Sequence, residues 1–319
     1  MSLPTLYVSR LLPPPVMAIL KERFRLTGQQ KTKPPSQEEV KEGLREAQGA
    51  ICTLTERIDR EILEEAPNLR VIANYAVGYN NIDLEAARAQ GIVVTNTPDV
   101  LTEATADLTW ALLLAVARRV PEGHRLVQQG EWTGWEPTQL LGAEVHSMTL
   151  GIVGMGRIGQ AVARRASGFT MPILYCSRRP VSQPVQEQPW RLVPLDELLS
   201  SSDFISLHVP LTSETHHLIG ARELHLMRPT AYLINTARGP VVDEAALVEA
   251  LRGGRPAGAG LDVYEQEPAL HPGLRSLSQV VTLPHLGSAT LDARVRMGLV
   301  CIENVHAVLE GRPVPNRVI

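Results

Sequence analysis

The sequence predicts an α/β protein made of two doubly wound parallel-sheet domains, and three observations carry that reading. Short apolar runs alternate with helix-patterned segments over the first hundred residues, and the alternation restarts at Thr149. The runs are continuously apolar, as strands buried on both faces must be. At 319 residues the chain exceeds what one core commonly holds.

In the first set, Leu6-Tyr7-Val8, Ala50-Ile51-Cys52, Val71-Ile72-Ala73 and Ile92-Val93-Val94 read as strands. Ser36 to Ala47, opened by a Ser36/Glu39 capping box, Asp59 to Ala66 and Asp83 to Gln90 read as helices. Leu101 to Val120 reads as one long helix, apolar nearly all round and therefore buried between domains or subunits. An aromatic loop, Gly130 to Pro137, follows it. The second set offers six strands: Leu150-Val153, Ile173-Cys176, Phe204-Leu207, Tyr232-Ile234, Gly258-Leu261 and Val280-Leu283. A final helix spans Leu291 to Glu310, ahead of a Gly311/Pro313/Pro315 tail.

Composition removes several functions. The formal charge is −3, so no basic face draws the chain to nucleic acid or an anionic membrane. Leu108 to Ala117 is too short to span a bilayer, and Arg10 with Pro13, Pro14 and Pro15 breaks the N-terminal apolar stretches, leaving no signal-peptide pattern. The chain reads as soluble and cytoplasmic. Cys52, Cys176 and Cys301 lie far apart, which fits neither a disulfide framework nor a metal site. The four lysines (Lys21, Lys31, Lys33 and Lys41) all precede residue 42, so a Schiff-base lysine has no good source.

Gly154, Gly156 and Gly159 form Gly-x-Gly-x-x-Gly between a strand and the helix Gln160 to Ser167. Gly154 permits a tight turn, Gly156 admits a pyrophosphate to the backbone, and Gly159 lets the helix pack closely. This is a Rossmann-type dinucleotide loop, with phosphates held at the helix N-terminus. After the next strand, Ser177 stands where an NAD-binding acid belongs, and Arg178 and Arg179 follow. A hydroxyl and two guanidiniums suit a 2′-phosphate, so the preferred cofactor is NADP(H), with NAD(H) possible; a solvated basic turn is the alternative.

Three later strand ends carry chemistry. They are Asn235-Thr236-Ala237-Arg238-Gly239, Asp262-Val263 with Glu267-Pro268, and Pro284-His285-Leu286-Gly287. Strand carboxyl ends border the ligand crevice of an open α/β sheet. There a guanidinium can grip a 2-oxo acid, and an imidazolium kept charged by a carboxylate can deliver a proton.

With Asn74-Tyr75-Ala76-Val77-Gly78-Tyr79-Asn80-Asn81-Ile82-Asp83, these segments resemble the D-isomer-specific 2-hydroxyacid dehydrogenase family, closest to its glyoxylate/hydroxypyruvate reductases, over essentially the whole length. The resemblance implies a flavodoxin-like, discontinuous substrate domain of residues 1–98 and 287–319. It also implies an NADP-binding domain of 99–286, with a dimerisation arm at about 101–148. It makes Arg238 the substrate anchor, His285 the acid/base and Glu267 its partner. The N–H groups of Val77 and Gly78 would hold the substrate carboxylate, and Leu54 would line the side-chain pocket. Asp262 and Thr236 would hold the nicotinamide, and Gly156, Arg157, Ile158, Arg178, Arg179 and Gly287 the rest of the cofactor, with Pro210 at its edge. Trp135 would enter the partner's site in a homodimer. Rivals share the fold: a dehydrogenase for another D-2-hydroxy acid is one, although phosphoglycerate dehydrogenases usually keep the acid that Ser177 replaces. A formate dehydrogenase pairs its histidine with glutamine, against which Glu267 speaks; a nicotinamide-sensing binding protein would keep the same triad.

Overall fold

The chain divides into one unit of Met1–Leu101 with Ser288–Ile319 and another of Thr102–Gly287. The structure is a computed structural model and describes residues 3–28, 30–181 and 190–319.

The first unit runs β1 (Thr5–Val8), α1 (Pro14–Arg23), β2 (Arg25–Thr27), α2 (Gln37–Leu44), β3 (Gly49–Cys52), α3 (Arg60–Glu64), β4 (Val71–Asn74), α4 (Leu84–Ala89) and β5 (Val93–Thr95). Its sheet has the order β2-β1-β3-β4-β5 and every pairing is parallel. That is the flavodoxin-like winding. Each residue of β1, β3 and β4 is buried, which explains their unbroken apolar character. Side chains cap the helices as the sequence signals: Ser36 with Glu39 as a reciprocal box, and Asp59 and Asp83 each accepting the N–H of the third residue of its helix.

Two elements here escape the sequence reading. The proline run does not break the chain but starts α1, with Pro14 and Pro15 in the first turn, where a missing N–H goes unnoticed. The edge strand β2 has no buried residue and therefore no apolar run to reveal it. The C-terminal helix, Leu291–Leu309, passes so close to α1 that a Cβ on Gly298 would lie 2.5 Å from Val16. Beyond it the tail returns to the sheet, where Val318 N–H donates to Val94 O at 2.8 Å.

The second unit contains α5 (Thr102–Ala117), α6 (Val120–Gln128), β6 (Leu150–Val153), α7 (Arg157–Ala166), β7 (Ile173–Cys176) and β8 (Arg191–Leu192). It continues with α8 (Leu195–Ser201), β9 (Phe204–Leu207), α9 (Ala221–Leu226), β10 (Tyr232–Asn235), α10 (Glu244–Arg252), β11 (Gly258–Leu261) and β12 (Val280–Thr282). The order β12-β11-β10-β9-β6-β7-β8, parallel throughout, is a Rossmann sheet with one strand added beyond six. The extra strand, β8, is two exposed residues long, too short and too polar to read from sequence. The winding reverses between β6 and β9, which places the ligand crevice of this sheet at their carboxyl ends.

The expected single helix over 101–120 is in fact two. Arg119 takes a left-handed φ of 53°, and Pro121 sits in the first turn of α6, where its ring could not have followed α5 without a clash. The N–H of Ala143 instead closes the end of α5 by donating to Ala117 O at 2.9 Å. The other helix of the nucleotide turn also shifts: α7 begins at Arg157 rather than Gln160, so Gly159 lies in its first turn. Trp110 ties α5 to α7 through an indole bond to Val162 O at 3.1 Å and stacks on Phe169 at 4.7 Å. Among the described residues no helix is long and apolar enough to cross a membrane.

Candidate active site

The glycine turn does three separate jobs. Gly154 has φ +97°, and a Cβ there would strike the His208 carbonyl carbon at 2.7 Å. A Cβ on Gly159 would lie 2.3 Å from Gly154 O, so only glycine lets the helix start this close to the strand. Gly156 is different. Its missing Cβ points into open space, with nothing within 4 Å, and it caps the exposed N-terminus of α7 beside Arg157 and half-buried Ile158. A cradle open on that one side and tight on the other two fits the pyrophosphate of a dinucleotide.

Ser177 follows β7 half-buried, with Arg178 and Arg179 exposed beyond it. Arg178 lies within electrostatic reach of Glu214 and helps lower that carboxyl, after the hydrogen bonds Glu214 receives. Pro210 is exposed, and its carbonyl accepts from the Thr215 hydroxyl at 2.6 Å. Thr236 is buried, its hydroxyl 2.9 Å from that of Thr109. Burial lowers the His208 imidazole to about 3, so this ring beside the glycine turn is neutral.

The charged strand ends come together within this unit. Glu267 Oε2 lies 2.8 Å from His285 Nδ1, and Glu267 Oε1 accepts the Tyr264 N–H at 3.1 Å. The carboxylate thus fixes ring and tautomer, leaving Nε2 for other work. Arg238 is within electrostatic reach of Glu267; burial lowers its guanidinium, and the carboxylate opposes the shift. It remains charged, as arginine does in proteins. Two locks set its place. Asn235 bridges the turn, donating to Arg238 O at 3.0 Å and accepting the Ala237 N–H at 3.0 Å. Gly239 lies against the Tyr264 peptide, where a Cβ would fall 1.8 Å from the carbonyl carbon, so any other residue would part the Arg238 and Glu267 loops.

His285 carries a left-handed φ of 57°, unusual away from glycine. Asp262 accounts for it. Its carbonyl accepts the His285 N–H at 3.0 Å, and its carboxylate accepts Leu286 N–H at 2.6 Å and Gly287 N–H at 2.8 Å. Burial pushes the Asp262 carboxyl up, while the Leu286 N–H and the nearby His285 pull it down. So the acid is committed to the histidine turn, and the Gly287 N–H is already engaged.

In the other unit, Val77 and Gly78 follow β4. Three successive carbonyls there are tied off: Ala76 O to Thr97 N–H at 2.9 Å, Val77 O to Asn96 Nδ2 at 2.8 Å, and Gly78 O to Asn74 Nδ2 at 2.7 Å. In a trans peptide the N–H points opposite the carbonyl. The N–H groups of Val77 and Gly78 therefore point away from Thr97 and Asn96 respectively, and neither finds an acceptor among the described residues. Successive N–H groups without an acceptor suit an anion. Leu54 sits half-buried in the turn after β3. Trp135, by contrast, stands 80% exposed after α6, a helix with no buried residue.

Reading the sequence residue by residue misses Asn74, Asn96 and Asn235, which aim the functional loops. For Asn74 and Asn235 a strand-final Asn before a Gly-containing turn was the available signal, since its side chain readily closes such turns; Asn96 follows β5 with no such mark.

A wound sheet with an open glycine cradle and a half-buried Arg beside a Glu–His pair is the layout of a nicotinamide-dependent dehydrogenase. Comparison with known proteins agrees. A family model described as the D-isomer specific 2-hydroxyacid dehydrogenase NAD-binding domain matches residues 110–287. A glyoxylate reductase from Thermococcus onnurineus is 49% identical over 99% of this chain and 96% of its own. A crystal structure of a protein from Thermus thermophilus superposes with TM-score 0.92 at 48% identity, covering 99% of this chain and 100% of the other. An NADPH-dependent glyoxylate/hydroxypyruvate reductase from Sinorhizobium meliloti, solved with NADP and malonate, gives 0.87 at 35% identity over 99% and 97%. The chain belongs to the D-isomer specific 2-hydroxyacid dehydrogenase family and is an NAD(P)-dependent enzyme of it.

Proposed function

We propose that this enzyme reduces glyoxylate and hydroxypyruvate with NADPH, giving glycolate and D-glycerate. The observation that carries the reading is the 2.8 Å Glu267–His285 pair beside Arg238, a proton donor and an oxygen grip in one cluster. Names of relatives point the same way: the first relatives are glyoxylate reductases, and one neighbour is an NADPH-dependent reductase of both substrates.

The residues divide the work. The glycine cradle with Arg157 and Ile158 would hold the pyrophosphate, and Ser177, Arg178 and Arg179 the 2′-phosphate. Pro210, Thr236, Asp262 and Gly287 would border the rest. When bound there, the nicotinamide would supply the hydride that the carbonyl carbon receives. Arg238 clamps the carboxylate and carbonyl oxygen and draws electrons toward that oxygen. His285 gives its Nε2 proton to the oxygen as it becomes an alkoxide, and Glu267 keeps the ring aligned throughout. The Val77 and Gly78 N–H groups take the carboxylate, and Leu54 meets the group on the carbonyl carbon.

The reading includes a cytoplasmic homodimer in which Trp135 closes the partner's substrate pocket. Exposure of Trp132, Trp135, Val120, Val127 and Leu141 on one arm supports it, since apolar patches of that kind mark interfaces. The test is a panel of 2-oxo acids, each with NADPH and NADH. Glyoxylate and hydroxypyruvate with NADPH should lead. Preference for NADH, or for a larger oxo acid, would remove the corresponding half.

A further inference from the structure

Glu56 is an acidic side chain of the first unit placed inside a rim of functional turns, and nothing so far uses it. Its residue is 3% exposed, an expensive position for a carboxylate unless donors surround it. They do. Oε2 accepts from the Ser9 hydroxyl at 2.7 Å and the Thr53 N–H at 2.5 Å; Oε1 accepts from the hydroxyls of Thr55 at 2.7 Å and Thr53 at 3.1 Å. Arg10 stands 3.8 Å away. Ser9 follows β1 and Thr53 follows β3, so the carboxylate staples the carboxyl ends of two neighbouring strands.

What this staple encloses is Leu54, whose two flanking residues are both bound to Glu56. The connection runs further. Asn81 Nδ2 donates to Thr53 O at 3.0 Å and Glu56 O at 3.1 Å, while its Oδ1 accepts from Asn74 Nδ2 at 3.1 Å. Asn74 in turn holds Gly78 O. One hydrogen-bonded network therefore links the Leu54 turn to the anion nest. Each of these partners donates to the Glu56 carboxylate, so it accepts from all of them at once; an amide would have to turn its NH2 toward hydroxyls and reverse their bonds, or set it against the Thr53 N–H.

We propose that Glu56 is a positioning residue that fixes Leu54 relative to the Val77–Gly78 nest, and thereby sets which size of 2-oxo acid the enzyme accepts. The proposal rests on the functional reading above, in which Leu54 meets the substrate side chain and the nest takes its carboxylate. Glu56 itself touches no substrate.

The test is Glu56→Gln, which keeps size and burial and removes only the all-acceptor character. Folding is checked by thermal melt, and kcat and KM are measured for glyoxylate, hydroxypyruvate and 2-oxobutyrate with NADPH. Discrimination between glyoxylate and 2-oxobutyrate should relax by about tenfold, the scale on which such pockets read one or two carbons. KM for NADPH and the kcat for glyoxylate should stay within about threefold, because the proton-transfer cluster is untouched. Thr55→Val removes a single donor and should shift discrimination the same way by about threefold, which keeps the test open if Glu56→Gln does not fold. A folded variant with wild-type discrimination, even at lowered melting temperature, overturns the proposal, since that is the signature of a merely structural contact. Failure of the functional reading looks different: wild type would turn over none of the three acids.

Discussion

The proposed function draws on two sets of turns at strand ends, and they are built on opposite plans. In the second unit the proposed working groups are side chains, Arg238, Glu267 and His285, and the turns between them are locked by Asn235, Asp262 and the bare Gly239. In the first unit the proposed working groups are backbone N–H groups, oriented by two tethered carbonyls, Ala76 O and Val77 O, and by side chains that never need to meet a substrate. Charge that must change during a reaction needs titratable or clamping side chains. A fixed carboxylate needs only aligned dipoles. The comparison predicts that loss of the second unit's proton donor acts on kcat and that loss of the first unit's N–H orientation acts on KM.

The largest break should come from His285→Ala, which lowers kcat by roughly a hundred- to ten-thousand-fold, with NADPH affinity from fluorescence titration little changed. Near-normal turnover in the folded variant would strip the histidine of its role. Arg238→Lys comes next. An ammonium cannot reproduce a planar fork on two oxygens, so kcat should fall and KM rise, together costing kcat/KM about a hundredfold or more. A lysine variant of normal activity would reduce Arg238 to a structural charge. A third change leaves chemistry alone: Ser177→Asp with Arg178→Ala and Arg179→Ala should move the NADPH-to-NADH ratio of kcat/KM by about a hundredfold. A wild type that already favours NADH contradicts the premise of that design.

The same contrast decides what the sequence reveals. Chemistry in side chains is legible: Arg238, Glu267 and His285 stand in recognisable strand-end segments, and the glycine spacing announces its turn. Strands buried on both faces, such as Leu150–Val153, Ile173–Cys176 and Phe204–Leu207, are legible because burial forces an apolar run. Edge strands β2 and β8 are not, because Arg25-Leu26-Thr27 and Arg191-Leu192 are short and mostly polar; β12, also at an edge, is legible through its apolar Val280-Val281. The split of the 101–120 segment shows a related limit: the helix ends at Ala117, three residues before the expected Val120, and the left-handed Arg119 that starts α6 carries no mark of that conformation in its residue type. Least legible is the aim of a peptide group. Which way the Val77 and Gly78 N–H groups point depends on Thr97 and Asn96, and neither is near them in the chain.

The division of labour meets its most direct test in Asn96→Ala, set beside His285→Ala in initial-rate curves over glyoxylate at saturating NADPH. Asn96 aims the Gly78 N–H through one hydrogen bond, so its loss should raise KM for glyoxylate about tenfold while the rate plateau stays within about twofold of wild type. The His285→Ala curve should instead level off low, with KM nearly unchanged. If Asn96→Ala lowers the plateau as deeply as His285→Ala and leaves KM where it was, the first unit's backbone is not a separate carboxylate site and the two-plan account is wrong.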